Sequence, residues 1–497
     1  MDCIGGLAHS IVRPEGHNGG TSPMTTIVAT AGNTLAFPQV RSHARNWLPW
    51  LYLVVALPAI VLFSIIMAPV QVADEFNHIM RADQISRGTM LKRIGGAVDG
   101  GIATYGYIFD ELYFHPERKV SEAMAVRAGK VRFNVPDSDE NFQNTAQYGP
   151  LLYIPDAVGI TAGKVMELTV AHTLLLTRIL NGFVSAAIAF AALRILRRGK
   201  ALAFTTLLLP MSLSAFGSAS PDSQMIALTI LASAIVSRAV DECRHATDGE
   251  FALFLAIVIA TTMARPSQLA LLALLPAMSG WRQSPWRPKV VLLALTLVVI
   301  VLWIVLLVLW LMQPMPPEWN VAHQFRIIVT KPWSLPLALL STFAADWVDL
   351  CVSVIGRFGW YDTPMPKWVG TVGALVCLCA ALAPGNRPPY LRPALWSLVT
   401  ISAVTLAIAA ALYMSWTPVG NAAVQGLQGR YFLPILPLLG WLVPAYGSRI
   451  ATVLRPLWIV VFAFPVLSLP MAVWTLMDRY YGSWADMQIA LTALLLP

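Results

Sequence analysis

The sequence predicts an all-α, polytopic transmembrane protein. Three observations carry this reading. Of 497 residues, 57% are hydrophobic and only 12% charged, where a soluble domain carries about 25% charged residues. Apolar runs recur along the chain from Trp47 onward, many reaching the roughly 20 residues that cross the hydrocarbon core. Four of the five short connections assigned to the inner side carry at least two Arg or Lys, the charge bias of a multi-pass chain. The formal net charge of +8 is therefore read as cytoplasmic loops rather than a nucleic-acid surface. Five cysteines, Cys3, Cys243, Cys351, Cys377 and Cys379, show neither a disulfide framework nor zinc spacing.

In chain order, residues 1–45 are polar and Gly-rich without an apolar signal core. They read as a disordered cytoplasmic tail, with Met24 an alternative start. A transmembrane domain is expected over 46–476. Its first span, 47–72, follows Arg41 and Arg45, which sets the N-terminus inside. Residues 73–149 form a long outer loop with short helices of its own. Residues 150–168 contain Pro155 and Asp156 and read as a helix at the outer interface rather than a crossing. Spans follow at 171–196, 201–219 and 222–240. Arg194, Arg197, Arg198 and Lys200 mark the inside strongly. Two short spans, 251–264 and 267–280, meet at Arg265-Pro266 near the outer face. A clear span, 290–312, follows Arg282, Arg287 and Lys289. Within the second outer segment, 313–366, residues 335–356 hold Asp346 and Asp349 and read as a re-entrant or interfacial helix. Spans at 367–383, 394–413, 430–447 and 457–476 alternate with loops bearing Arg387, Arg392, Arg449 and Arg455. The total is about eleven spans, with residues 477–497 as an outer C-terminal tail.

The isolated ionic residues of the spans collect on one side. Asp74, Glu75, Asp222, Arg265 and Arg430 all map to outer span ends, and Arg178 lies about two turns below one. A proton- or ion-coupled transporter would be expected to hold acids near the midplane instead. Asp74 and His78 are four apart, with Arg81 a turn further, so a helix would put them on one face. That face is either a solvated helix end or a site, and Asp74, Glu75 and His78 are also the candidates for a divalent metal. Asp222 opens a span, where the helix dipole favours an acid. Arg430 follows Gly426, Gln428 and Gly429 and precedes Tyr431. It either snorkels to lipid phosphate or grips a substrate phosphate. Arg178 and Asn181 are candidates to pair with Asp156. Trp47, Trp50, Trp416, Trp441 and Trp474 read as interface-belt residues.

The stretch Asp74-Glu75-Phe76-Asn77-His78, with Arg81 and Gln84-Ile85-Ser86-Arg87-Gly88, resembles the first-loop motif of a bacterial membrane family, domain of unknown function 2142. Further matching pieces follow in the family's order. They are Tyr148-Gly149-Pro150-Leu151-Leu152-Tyr153, Ser220-Pro221-Asp222, Ala264-Arg265-Pro266, Gly356-Arg357-Phe358-Gly359-Trp360-Tyr361-Asp362-Thr363 with Pro366, and Gln428-Gly429-Arg430-Tyr431-Phe432-Leu433-Pro434. Together they cover roughly residues 45–475. Val72-Ala73 stand where the family usually has Pro-Pro, and Gly149 where proline is common. These departures touch backbone stiffness, not the acids.

That family is similar in layout to the GT-C superfamily of integral-membrane glycosyltransferases, which take sugars from polyprenyl-phosphate carriers on the outer face. The resemblance implies Asp74, Glu75 and Asp222 as catalytic residues. It implies Arg430, Arg265, His78, Arg81, Arg178, Tyr431, Trp360 and Asp362 as substrate contacts. Asp74 would be the general base, Glu75 would orient the acceptor or help hold a metal, and Asp222 would hold a sugar hydroxyl or assist the base. No cofactor is required with certainty. The implied partners are the bilayer, a polyprenyl-phosphate-linked sugar and a glycan or lipid acceptor, with no nucleic acid. The implied location is the bacterial cytoplasmic (inner) membrane. A transporter or flippase of lipid-linked glycans and a non-catalytic partner in polysaccharide assembly are the alternative readings.

Overall fold

The computed structural model describes residues 47–496, apart from 92–94, 134, 243–245, 279–285, 312–316, 384–390 and 444–447. The expectations for the N-terminal tail, Met24, Cys3, Cys243, Arg282 and Arg387 lie outside the described residues. Leu48–Pro497 is one compact unit. It is helical, with two antiparallel two-stranded ribbons as its only sheet among the described residues.

The chain enters through α1 (Leu48–Ile66), then builds a polar lobe from α2 (Glu75–Ser86), β1 (Gly95–Val98), α3 (Gly100–Ile108), α4 (Glu122–Gly129), β2 (Ser138–Asn141) and α5 (Gln143–Ala146). β1 and β2 pair from Gly95↔Asn141 to Val98↔Ser138. The long connection thus carries the expected short helices and a ribbon that its pattern did not announce. Helix α6 (Ile154–Val165) has 12 residues, about 18 Å at 1.5 Å per residue, too short to cross. The bundle continues with α7 (Val170–Ile195), α8 (Lys200–Leu207), α9 (Pro210–Phe216), α10 (Asp222–Asp241), α11 (Asp248–Ala264) and α12 (Trp286–Leu306). Then come α13 (Val321–Thr330), α14 (Ser334–Gly356), the β3–β4 ribbon (Arg357–Phe358, Thr363–Pro364), α15 (Lys367–Leu382), α16 (Leu391–Ser415), α17 (Ser448–Leu454), α18 (Leu457–Tyr480) and α19 (Trp484–Leu495).

Seven helices among the described residues are long and apolar enough to cross a membrane: Leu48–Ile66, Val170–Ile195, Asp222–Asp241, Trp286–Leu311, Ser334–Gly356, Leu391–Ser415 and Arg449–Tyr480. The count of about eleven is not confirmed. Residues 201–219 form two short helices, because Leu209 is extended ahead of Pro210, as a residue before proline prefers. Where a span is expected over 430–447, Gly429–Phe432 and Leu436–Trp441 are 3-10 turns, with Pro434 between them and Pro437 inside the second. Residues 335–356 depart the other way, lying within the continuous 23-residue helix Ser334–Gly356. Asp349 is paired there with Arg357 at 2.5 Å, which removes part of the cost that argued against a crossing. The break at Arg265-Pro266 is as expected. Helix α11 ends at Ala264, Arg265 is extended, and a 3-10 helix follows over Pro266–Ala277.

Depth follows side-chain size. The span of α10 is 83% buried and carries Ala227, Ser233, Ala234 and Ser237, small residues that let helices approach. The span beginning at Trp286 is 17% buried and rich in Leu and Val, as a lipid-facing helix would be. Within 477–497, expected as a tail, α18 runs on to Tyr480 and Trp484–Leu495 form a helix with Met487, Ala490 and Leu494 buried. His172 Nε2 lies 2.9 Å from the Leu495 carbonyl. A Cβ on Gly129 of α4 would stand 2.7 Å from the Ala493 carbonyl oxygen. Cys351, Cys377 and Cys379 are free thiols.

Candidate functional site

Asp74 lies between the end of α1 and the start of α2 in left-handed backbone, φ 65°, ψ 0°. That conformation is uncommon for a non-glycine residue. An Asp at a helix start ordinarily caps it, but Asp74 makes no side-chain cap. Its carboxylate turns outward instead. Oδ2 is 3.2 Å from an Arg430 terminal nitrogen, and Asn144 Nδ2 donates to Oδ1 at 3.3 Å. Asp74 keeps 34% of its side chain exposed, so one acid of the cluster remains reachable.

Asp222 opens α10 and lies between two guanidinium groups. Arg265 is 2.5 Å away and Arg430 3.7 Å. Both arginines also face the Tyr431 ring, at 4.9 Å and 5.3 Å from its centroid. Asp74 follows the C-terminal end of α1, Asp222 is at the N-terminal end of α10, and Arg265 follows the C-terminal end of α11. Four ionic residues separated widely in sequence thus meet at one end of the bundle. Formally their charges sum to zero. Asp222, Arg265 and Arg430 border a cleft of about 400 Å³, counting its open mouth, lined also by Val72, Met211, Ser218, Ser220, Met225 and Pro434, and Asp74 joins it through Arg430.

His78 is buried beside this cluster, with Nδ1 2.7 Å from the Tyr153 hydroxyl. Burial pushes its imidazole down to about 4, against the opposing pull of Asp74 and Asp222. It is a neutral ring at physiological pH. Tyr148, whose ring centroid is 6.1 Å from that of His78, is pushed up to about 12 by burial and keeps its proton. Nothing in its type singled out Tyr148 beforehand, although it opens one of the sequence motifs.

Glu75 takes a different part. It is fully buried and forms a bidentate pair with Arg178, Nε to Oε1 at 2.8 Å and a terminal nitrogen to Oε2 at 2.6 Å. The Ala219 N–H donates to the same Oε1 at 3.0 Å. Arg178 also donates to the carbonyls of Ser64, Met67 and Ala68 at the end of α1. Six hydrogen bonds thus lock α1, α2, α7 and the 217–221 turn together. The expected pairing of Arg178 with Asp156 is not formed, and Asn181 instead donates to the Ser218 and Ser220 carbonyls. Asp156 is buried with neither carboxyl oxygen hydrogen-bonded. Burial pushes its carboxyl well above the usual range, and the Glu75 charge acts in the same direction. A neutral acid needs no cation.

The remaining expected site residues lie elsewhere. Arg81 is buried and donates to the Thr89, Met90 and Tyr148 carbonyls, stitching the polar lobe. Asp362 accepts from Arg479 at 3.0 Å, and Trp360 packs on Tyr113 at 4.8 Å. Among the described residues no group of three His, Cys, Asp or Glu side chains could hold a metal ion. Asp74, Glu75 and His78 do not form one because Glu75 is consumed by Arg178.

The sequence matches a family described as predicted membrane protein (DUF2142) over residues 57–439. No curated protein and no solved structure matches the chain. The family match takes in more than half of the chain and all four ionic residues of the cluster, and the chain belongs to that membrane-protein family.

Proposed function

We propose that this protein is an integral-membrane glycosyltransferase of GT-C-like layout. It would move a sugar from a polyprenyl-phosphate carrier to a cell-envelope glycan or lipid acceptor on the outer face of the bacterial cytoplasmic membrane. The observation that supports it is the meeting of Asp74, Asp222, Arg265 and Arg430 at one bundle end. One partly exposed carboxylate there stands beside Arg430, which Asp222 links to Arg265. Charges gathered at helix ends favour reaction at a membrane face over a translocation path.

The chemistry is one displacement. Asp74 takes the proton of the acceptor hydroxyl. The acceptor oxygen bonds to the anomeric carbon as the bond from that carbon to the phosphate oxygen breaks. The electron pair leaves with the polyprenyl phosphate, and Arg430 and Arg265 neutralise the charge that grows there. Asp222 holds the two guanidinium groups in place before substrate arrives. A single displacement inverts the anomeric centre.

Purified Asp74→Asn protein should lose about 10²- to 10⁴-fold in sugar transfer while inserting and folding normally. Transfer is measured from a polyprenyl-phosphate sugar to envelope acceptor. Near-normal turnover would remove Asp74 as the base. A strain lacking the protein should accumulate the sugar-loaded carrier, and an unchanged carrier pool would remove the transferase reading itself.

A further inference from the structure

A second cluster stands apart from the ionic cleft. It is assembled from three segments: the 112–120 loop of the polar lobe, the turn between β3 and β4, and the C-terminal end of α18. Trp360 packs against Tyr113 at 4.8 Å and Phe114 at 5.5 Å between ring centroids. Phe114 is 65% exposed. Both Phe114 (φ 57°) and Tyr361 (φ 70°) are left-handed, which is a steric outlier for aromatic residues and is often found at ligand sites. Gly359 permits the turn, since a Cβ there would overlap the Asp362 carboxylate.

The polar atoms say what the cluster lacks. Trp360 Nε1, Tyr113 Oη and Arg479 Nε are shut from solvent without a hydrogen-bond partner. Buried polar atoms are ordinarily satisfied, so three in one cluster mark hydrogen bonds that an outside group would complete on entering between these side chains. The cations are already engaged. Arg479 pairs with Asp362 and donates to the Leu112 and Arg118 carbonyls. The Lys119 ammonium donates to the Asp478 and Arg479 carbonyls. A ligand here gains aromatic faces and neutral hydrogen bonds, not a free positive charge. That is the chemistry of a neutral saccharide, with one apolar face and a rim of hydroxyls. Phe358, two residues before Trp360, packs on Phe63 of α1 at 6.0 Å, and α1 leads to Asp74.

We propose that Trp360, Tyr113 and Phe114 form a subsite for a neutral glycan chain, the acceptor of the transfer. Its place as acceptor site rests on the transferase reading, but its binding of glycan does not. Neutral oligosaccharides released by mild acid from the host envelope glycan serve as the probe. Saturation-transfer NMR on the full-length protein in detergent is the measurement. Wild type should bind them, Trp360→Ala should lose at least tenfold in affinity, and Trp360→Phe should recover part. Phe114→Asn is the second variant, because Asn tolerates left-handed backbone and Phe114 is exposed. It should weaken binding without lowering the unfolding temperature. In the transfer assay both variants should raise the acceptor KM and leave the donor KM unchanged. No binding by wild type, or equal binding by all variants as membrane anchoring alone would give, overturns the subsite. Binding that depends on Trp360 in a protein without transfer activity keeps the subsite and overturns the transferase.

Discussion

Asp74 begins a helix without capping it, and its left-handed backbone costs about 1–3 kcal/mol. The carboxylate it frees faces Arg430. Beside it, Glu75 and Arg178 have the opposite character, sealed from solvent and saturated with partners. Breaking such a pair by removing one member costs about 3–5 kcal/mol, because a buried charge is left alone. Arg178→Met should therefore unfold at a markedly lower temperature in detergent, and the double variant Glu75→Gln, Arg178→Met should regain part of the loss. A double variant no better than the single would show that the ion pair is not the source. Asp156 offers a test with the opposite sign. Its folded form holds a proton that the unfolded chain releases in the ordinary carboxylate range, so its share of stability falls as pH rises from that range toward the raised folded value. Asp156→Asn should raise the unfolding temperature at pH 7.5, with the gain shrinking toward pH 4. A gain independent of pH would mean that Asp156 is not held neutral. The acids and arginines at span ends were legible because ions are rare in apolar sequence. The partner of Arg178 was not, because Glu75 and Asp156 are equally plausible in one dimension and only helix packing selects between them.

At the scale of elements, α7 sets the cleft by close approach. A Cβ on Gly182 would overlap the Phe216 carbonyl oxygen and the Ile60 side chain. One residue earlier, Asn181 holds the Ser218 and Ser220 carbonyls ahead of Asp222. Gly182→Ala should push α7 away from α9 at a cost of about 1–3 kcal/mol, lowering the unfolding temperature and displacing Asp222 from Arg265. A variant as stable and active as wild type would show that the contact is slack. Proline explains most differences between expected and observed elements. Pro210 breaks one expected span, whereas Arg265-Pro266 was read as a break from the outset. Hydropathy registers only the summed apolarity of a window, so the 3-10 turns around Pro434 and Pro437 looked like a span. The continuous helix over Ser334–Gly356 was hidden by Asp349, whose partner Arg357 lies just beyond it.

At the scale of the molecule, the fold class was plain from composition, while the number of crossings was not. The orientation rests on the excess of arginine and lysine in one set of loops, and it can be measured. In a cysteine-free background, Glu117→Cys should react with a membrane-impermeant maleimide applied outside intact spheroplasts. Gly249→Cys should react only after permeabilisation. The reverse pattern would invert the chain and move the ionic cleft to the cytosol. Glu117 is exposed in the polar lobe, and Gly249 has open space around it.

The packing of α19 on α4 has a consequence in time. Helix α4 belongs to the first hundred and thirty residues, yet the surface that completes it is formed by residues 484–495. During synthesis the early lobe must wait, half-finished, until α19 has left the ribosome and docked. Maturation of the polar lobe is thereby tied to arrival of α19, and a nascent chain stalled before residue 484 would display an uncovered lobe to the cell's quality-control machinery.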